Sequence, residues 1–164
     1  MEALWAPWRM EYILAAGKKE KGCIFCSRLK QNQDRKNLIL WRSETVAVFL
    51  NRFPYNNGHL MVLPRRHLAE IKDLNQKEVK EIHQLTALSL KVLKRALNPD
   101  GFNLGLNLGR VAGAGILDHL HWHIVPRWNG DTNFMPVIAD TKVMPEHLQT
   151  LFLRLRKEFV KESE

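Results

Sequence analysis

Short apolar runs dominate the first half of the chain. They occupy residues 38–41, 45–50 and 60–63. Runs of this length, rich in β-branched, leucine and aromatic residues, are typical of strands. Turn-prone residues at 42–44 and 54–58 separate them. We therefore predict three sequential antiparallel strands.

The next segment repeats its apolar positions at helical spacing. Asn75 and Glu78 have the spacing of a capping box, and residues 98–101 (Asn-Pro-Asp-Gly) provide a stop signal. The apolar positions between them are Val79, Ile82, Leu85, Leu88, Leu90, Val92, Leu93 and Leu97. We predict a helix that begins at Asn75 and turns this stripe to the core. His83 lies beside the stripe and is expected at the surface.

Two more strands are predicted at residues 102–108 and 119–125. Pro145 then opens a C-terminal helix, assigned to residues 144–162, with one apolar face. That face consists of Leu148, Leu151, Phe152, Leu155 and Phe159. The element order predicts an α+β fold with an antiparallel sheet of about five strands and two main helices.

The chain length of 164 residues suits one core, so residues 1–164 are expected to form a single domain. Apolar residues make up 45% of the sequence, as in globular proteins. Residues 1–22 form an N-terminal extension whose aromatic residues are predicted to pack on the core or on a partner subunit. There is neither a secretion-type leader nor an apolar run long enough for a membrane span, so we expect a cytoplasmic protein without a membrane partner.

The net charge of +8 is spread over the chain and forms no basic stripe with interleaved aromatic residues. Many basic residues stand beside glutamates or on predicted helix faces. A nucleic-acid partner is therefore not expected. The charge instead indicates a positive field that attracts a small polyanionic substrate.

Three histidines, His119, His121 and His123, alternate with apolar residues in the last predicted strand. On a strand this spacing turns the three imidazoles to one face and Leu120, Trp122 and Ile124 to the other. A metal-binding or merely solvated histidine strand is the alternative to a catalytic site.

The segment before these histidines, residues 105–115, contains four glycines. Glycine allows backbone N–H groups to approach an anion closely, and such amides bind phosphate. Turn geometry alone is the alternative explanation for the glycines. Combined with three imidazoles, the loop favours chemistry at phosphorus.

A neutral imidazole is a good nucleophile at neutral pH and can carry a nucleotidyl group as a phosphoramidate. His121 is the candidate nucleophile because a histidine two residues away on either side can orient it or reach the phosphate. His123 is expected to donate to the phosphate oxygens.

The two cysteines, Cys23 and Cys26, exclude a disulfide framework and need an explanation as a pair. Three explanations remain open. They form a redox pair, an incidental buried pair, or half of a tetrahedral zinc site with two ligands from elsewhere.

The segment 119–125, His-Leu-His-Trp-His-Ile-Val, resembles the histidine triad (HIT) signature in full. The resemblance extends to residues 49–52 and 58–64 and covers roughly residues 23–130. Other segments resemble the bacterial branch of diadenosine tetraphosphate phosphorylases (ATP adenylyltransferases). These are residues 4–9, 107–109, 126–128 and 130–134.

The resemblance implies that His121 forms a nucleotidyl-histidine, assisted by His119 and His123, that His59 supports the site, and that Asn51 contacts the ribose. The implied phosphate path is lined by Asn107, Gly113, Ala114, Gly115, His123 and Trp128. The implied reaction is phosphorolysis of diadenosine tetraphosphate to ATP and ADP. A HIT hydrolase of dinucleoside polyphosphates or phosphoramidates, and a non-catalytic nucleotide-binding regulator, are the alternatives.

Hydrolases of the family usually carry glutamine where this chain has Gly115. Its absence favours an acceptor other than water. Phosphorylases of this branch can carry Gly-Ser where this chain has Ala114-Gly115, so one expected hydroxyl is also missing. Backbone amides are then left to meet the phosphate.

Zinc-containing relatives suggest the two missing zinc ligands. By this resemblance, Cys23, Cys26, His67 and His119 hold a structural zinc ion that fixes His119 beside the nucleophile. The resemblance also implies a homodimer that forms through a helix and an edge strand.

Overall fold

Five antiparallel strands form one sheet, as predicted. The computed structural model describes residues 22–131 and 144–163. The strands are β1 (Ile39–Arg42), β2 (Val46–Leu50), β3 (Leu60–Pro64), β4 (Gly101–Leu106) and β5 (Trp122–Arg127). Their order in the sheet is β1-β2-β3-β5-β4, so β3 is central, β5 lies between β3 and β4, and β4 lies at an edge. The packing predicted for the N-terminal extension concerns residues 1–21, which lie outside the described residues.

The described residues also form four α-helices. They are α1 (Ile24–Leu29), α2 (Asp34–Asn37), α3 (Gln76–Leu97) and α4 (Leu148–Ser163). The two long helices, α3 and α4, confirm the prediction, whereas α1 and α2 were not predicted. Within residues 22–131 and 144–163, every helix is too short or too polar to cross a bilayer.

Helices cover both faces of the sheet, which explains the unbroken apolar strands. Val46, Val48 and Leu50 of β2 belong to the larger core cluster with residues of α3 and α4. The alternate residues Ala47 and Phe49 pack with Phe25 of α1 in a second cluster. The short helix α1 thus fills the face of the sheet that lies opposite the long helices.

The boundary predicted for β5 was wrong at its start. The ladder between β3 and β5 ends at the pair Val62 and Trp122, so β5 begins at Trp122 rather than residue 119. Before it, the Leu120 amide donates to the Leu68 carbonyl at 2.7 Å, outside the ladder. β4 ends at Leu106, opposite Trp122, because its partner strand begins there. β2 and β3 differ from prediction by one residue at one end, and β1 differs by one residue at both ends.

Helix α3 has the predicted capping box: Asn75 and Glu78 bond reciprocally, side chain to backbone. The helix ends before Asn98, which has a positive φ of 46°. Val79 is an error in the predicted core stripe, since 53% of it is exposed. The buried position of this first turn is taken by Glu78, which bonds to Arg66. His83 is exposed, as predicted.

Helix α4 begins at Leu148, three residues after the predicted start at Pro145. Its first backbone bond runs from the Leu151 amide to the His147 carbonyl, so the residues before 147 lie outside the helical hydrogen bonding. The predicted apolar face is confirmed. Leu151, Phe152, Leu155 and Phe159 are buried, and Leu148 packs against them.

We expect Glu78→Gln to lower the free energy of unfolding by about 1–3 kcal/mol. Arg66 donates to both carboxylate oxygens of Glu78, at 3.0 and 2.9 Å, and the Asn75 amide donates at 2.9 Å. The substitution removes the negative charge and one acceptor oxygen at a buried position. Urea unfolding followed by circular dichroism measures the loss.

Glu44→Gln is the matched control for this prediction. Glu44 pairs with Lys77, but 73% of its side chain is exposed, so its loss should cost less than about 1 kcal/mol. Equal losses in the two variants would show that burial of the Glu78 pair does not matter.

Candidate functional site

The predicted site histidines meet where β3 and β5 run side by side. His59 precedes β3, His121 precedes β5, and His123 lies in β5 opposite Met61. The ring centroids of His121 and His123 are 4.9 Å apart, and those of His59 and His123 are 5.0 Å apart. The register between the two strands therefore assembles a cluster of imidazoles from distant parts of the chain.

His121 is held in one tautomer. Its Nδ1 lies 2.8 Å from the backbone carbonyl oxygen of His119. A carbonyl oxygen only accepts, so Nδ1 carries the proton and Nε2 carries the lone pair. Burial lowers the pKa of His121, which is 6% exposed, and so favours the neutral ring. A neutral imidazole with a free Nε2 is the form required for nucleophilic attack.

A chain of hydrogen bonds sets the tautomer of His123. The Tyr55 amide donates to His59 Nδ1 at 3.0 Å, so the proton of neutral His59 lies on Nε2. His59 Nε2 then donates to His123 Nδ1 at 2.8 Å. The proton of His123 therefore lies on Nε2, which is buried and has no hydrogen-bond partner among residues 22–131 and 144–163. Such a donor next to a nucleophile is suited to bind a phosphate oxygen.

Asn51 is positioned by the same group of residues. Its Nδ2 lies 3.3 Å from His59 Nδ1, and its Oδ1 accepts from the Phe53 amide at 2.9 Å. The side chain is half-buried at the end of β2. Asn51 thus lies beside the histidine cluster.

The pH dependence of stability should reveal the buried His123. Burial, and secondarily the charge of His121, lowers the pKa of His123 from its usual 6.5 to about 4. The unfolded chain therefore binds a proton as pH falls below about 6.5, while folded His123 does not until about pH 4. We expect the free energy of unfolding to decrease as pH falls between these values.

Urea unfolding at pH 7.5 and pH 5 measures this decrease, and His123→Gln should reduce it. His83→Gln, on the exposed side of α3, is the matched control and should retain the wild-type decrease. If wild type and His123→Gln decreased in parallel, His123 would contribute nothing to the dependence.

The glycine-rich loop runs from Asn107 to Gly115 and leads to His119. Gly109 and Gly113 have positive φ values of 87° and 89°, which favour glycine. The amides of Gly113 and Ala114 donate to carbonyls within the loop, at 3.0 and 3.2 Å. These two amides already form hydrogen bonds within the loop, so a phosphate would have to share or displace those bonds.

Trp128 lies one residue after the end of β5, at the opposite end of the strand from His121. Its amide donates to the Asp131 carboxylate at 3.1 Å, and the Arg127 side chain and Asn56 Nδ2 also donate to that carboxylate. Asp131 therefore fixes the loop that carries Trp128.

Cys23, Cys26, His67 and His119 form a second cluster. Their ligand atoms all lie within 4.8 Å of one another. His119 Nε2 donates to the Pro64 carbonyl at 2.8 Å, which leaves the lone pair of Nδ1 3.2 Å from Cys23 Sγ and 3.5 Å from Cys26 Sγ. Tetrahedral Zn–S and Zn–N bonds separate ligand atoms by about 3.3–3.8 Å. The donor set and its spacing therefore fit a zinc ion.

Phe25 packs between this cluster and His121. It lies between the two cysteines, is 1% exposed, and its ring centroid is 5.3 Å from those of both His119 and His121. Sequence reasoning missed Phe25 and also Tyr55. The position of Phe25 within the Cys-Ile-Phe-Cys segment is the one sequence signal that could have identified it.

Comparison with known proteins agrees with this geometry. A family model described as the HIT domain matches residues 32–130. AP-4-A phosphorylase of Mycobacterium tuberculosis is 40% identical over 155 residues, which cover 91% of this chain and 80% of that protein. The resemblance drawn from the histidine motif is thereby confirmed.

Solved structures share the fold. A hypothetical histidine triad nucleotide-binding protein from Sulfolobus tokodaii is 28% identical, with a TM-score of 0.68 over 85% of this chain and 93% of its own. A Zn-bound histidine triad family protein from Mycobacterium smegmatis gives a TM-score of 0.67 at 23% identity, over 85% of this chain and 94% of its own. From its motif, its fold and these matches, the chain belongs to the histidine triad (HIT) family.

Proposed function

We propose that this protein is a nucleotidyl transferase that cleaves diadenosine tetraphosphate, or related dinucleoside polyphosphates, by phosphorolysis. The observation that carries the proposal is the pairing of His121 and His123: a neutral nucleophilic Nε2 lies beside a buried N–H donor without a partner. The similarity to AP-4-A phosphorylase of M. tuberculosis supports the choice of substrate.

In the first step, His121 Nε2 attacks the α-phosphorus. The P–N bond forms, the bond to the bridging oxygen breaks, and ATP leaves as an anion that needs no proton from the enzyme. The Nδ1–H bond to the His119 carbonyl holds the ring in line. The His123 Nε2–H group donates to a non-bridging oxygen as negative charge accumulates there.

In the second step, an oxygen of inorganic phosphate attacks the adenylyl phosphorus. The P–N bond breaks, ADP forms, and His121 returns to its neutral state. The reverse reaction makes diadenosine tetraphosphate and phosphate from ATP and ADP. The His119 carbonyl orients the ring of His121, and His59 orients the ring of His123.

The nucleotide would extend from this pair along the phosphate path. We assign the ribose to Asn51 and the phosphate path to six other residues. These are Asn107, Gly113, Ala114, Gly115 and His123, together with Trp128, which lies at the opposite end of β5 and would contact the part of a long substrate farthest from His121. The Gly115 amide is the first candidate donor, because the amides of Gly113 and Ala114 already bond within the loop.

A structural zinc ion belongs to this proposal. Cys23, Cys26, His67 and His119 would hold it, since their donor atoms have the spacing and the lone pairs that zinc needs. Bound zinc would hold α1 against the sheet and supply no catalytic chemistry. A Zn-bound protein is known among the structural neighbours, from M. smegmatis.

We also propose that two copies associate through β4. This strand lies at an edge of the sheet, and Leu104 on it is 53% exposed. An unpaired edge with an exposed leucine is a natural place for strand pairing. Sedimentation equilibrium tests the dimer, and Leu104→Lys should weaken it. The expected cytoplasmic location stays a prediction.

The deciding experiment incubates purified protein with diadenosine tetraphosphate, with and without inorganic phosphate, and resolves the nucleotides by chromatography. We expect ATP and ADP, formed only when phosphate is present. AMP and ATP without phosphate would identify a hydrolase. Binding of nucleotide without turnover would identify a regulator.

Gly115→Gln sharpens this experiment. A Cβ at Gly115 would meet no atom of the described residues within 4 Å, and Gly115 has no positive φ, so the backbone accepts a side chain there. We expect this variant to form more AMP at the expense of ADP, because the hydrolases of the family carry that side chain.

A further inference from the structure

We propose that Tyr55 is a positioning residue that couples the histidine chain, formed by His59 and His123, to the phosphate path. Its hydroxyl holds Asn107 toward the incoming phosphate, and its ring supports His59 and His123. This inference rests on the proposed function, because it assigns Asn107 to the acceptor phosphate. The sequence marked Tyr55 only as part of a turn between β2 and β3.

The ring of Tyr55 covers the histidine chain. It stacks on His59 with centroids 4.8 Å apart and planes 25° apart. The same ring lies 5.7 Å from the His123 ring, and the Tyr55 amide donates to His59 Nδ1 at 3.0 Å. Ring and backbone together hold His59 in the orientation that directs His123 Nε2–H into the site.

The hydroxyl of Tyr55 reaches the other side of the site. Asn107 Nδ2 donates to it at 3.3 Å. Asn107 Nδ2 also lies 3.8 Å from where a Cβ of Gly113 would be. The Asn107 amide group therefore lies close to both the Tyr55 hydroxyl and Gly113 of the glycine-rich loop.

The exposure of Tyr55 agrees with a position at the substrate. The residue is 49% exposed although its ring packs against the buried His59 and the half-buried His123. One face of the ring packs on the histidine chain, so the accessible surface belongs to the other face and the hydroxyl edge.

Two substitutions separate the roles of hydroxyl and ring. Tyr55→Phe keeps the ring stack and removes the contact with Asn107. We expect it to raise KM for inorganic phosphate about 5–10-fold, the loss of one hydrogen bond, and to leave the rate of protein adenylylation within about twofold of wild type. Tyr55→Leu removes the stack as well and should also slow adenylylation.

A double-substitution cycle shows whether Tyr55 acts through Asn107. In an Asn107→Ala background, Tyr55→Phe should change KM for phosphate by less than about twofold, because the group that it positions is gone. A merely structural role would give the same factor in both backgrounds. Additive effects, or an unchanged KM for phosphate in Tyr55→Phe, would overturn the proposal.

An NMR measurement tests this inference separately from the proposed function. The side-chain amide resonances of Asn107, identified by their loss in Asn107→Asp, should shift in Tyr55→Phe in the absence of any nucleotide. Unshifted resonances would overturn the positioning role whatever reaction the protein catalyses. Shifted resonances in a protein without phosphate-dependent turnover would contradict the proposed function, and with it the assignment of Asn107 to phosphate, but not the contact.

Discussion

Replacing His121 with alanine should lower the rate of ADP formation from diadenosine tetraphosphate by at least about 1000-fold. The first step forms a bond between His121 Nε2 and phosphorus, and no other imidazole combines a lone pair on Nε2 with this position. His123 carries its proton on Nε2, and His119 directs its Nε2–H to the Pro64 carbonyl. Neither neighbour can replace the nucleophile without a change of tautomer.

Nucleotide binding should survive this substitution. The groups assigned to ribose and phosphate lie on other residues, so the dissociation constant for a non-reactive analogue should change less than about tenfold. Calorimetric titration of His121→Ala measures it. His83→Ala, on the exposed side of α3, is the control and should keep wild-type turnover. Retention of a tenth of the activity in His121→Ala would refute covalent catalysis.

Loss of a zinc ligand should have the largest effect on stability. We expect Cys26→Ser to be purified without stoichiometric zinc and to lose about 3 kcal/mol or more of the free energy of unfolding. Cys26 lies on α1 beside Phe25, which packs against Phe49 of β2 with ring centroids 5.5 Å apart. Without the metal, α1 would be held on the sheet by the apolar cluster around Phe25 and by the hydrogen bond from Arg42 of β1 to the Leu29 carbonyl, 2.8 Å long.

The physical cause lies in the protonation of the ligands. Burial, and then the neighbouring Cys23 thiol, raises the pKa of the Cys26 thiol. Without a metal, the cluster therefore favours neutral thiols, which pack but do not bind strongly. A zinc ion would displace these protons and join four residues from three segments of the chain.

Metal analysis by atomic emission and thermal unfolding with and without a chelator test this prediction. The chelator should lower the melting temperature of wild type toward that of Cys26→Ser and should not lower that of the variant further. Ser27→Ala, an exposed change in the same helix, is the matched control. Wild-type protein without zinc, and with a melting temperature that the chelator does not change, would contradict the zinc proposal.

Much of the fold follows from apolar spacing, because apolar residues that recur at helix or strand spacing face the core at most positions. The strands, the capping box at Asn75 and the apolar face of α4 could all be predicted in this way. Val79 and the start of β5 were mispredicted because neighbours outside the local pattern decide them. Glu78 takes the buried place near Val79, and the end of the ladder between β3 and β5, at Val62 and Trp122, determines where β5 begins.

The candidate residues of the site could be predicted from the sequence, but most of the contacts between them could not. Residue type alone made His121 and the cysteine pair candidates. The chain from Tyr55 through His59 to His123 could not be predicted, because it depends on the register between β3 and β5. For the same reason, the packing of Phe25 between the zinc-ligand cluster and the nucleophile emerges only in three dimensions.

The most direct test of the central claim is mass spectrometry of the protein after brief exposure to diadenosine tetraphosphate without phosphate. We predict a mass increase of one adenylyl group, located on the peptide that contains His121. The adduct should be labile in acid, stable in base and discharged to ADP by added phosphate. Turnover with no adduct under these conditions, or an adduct on another residue, would contradict the account.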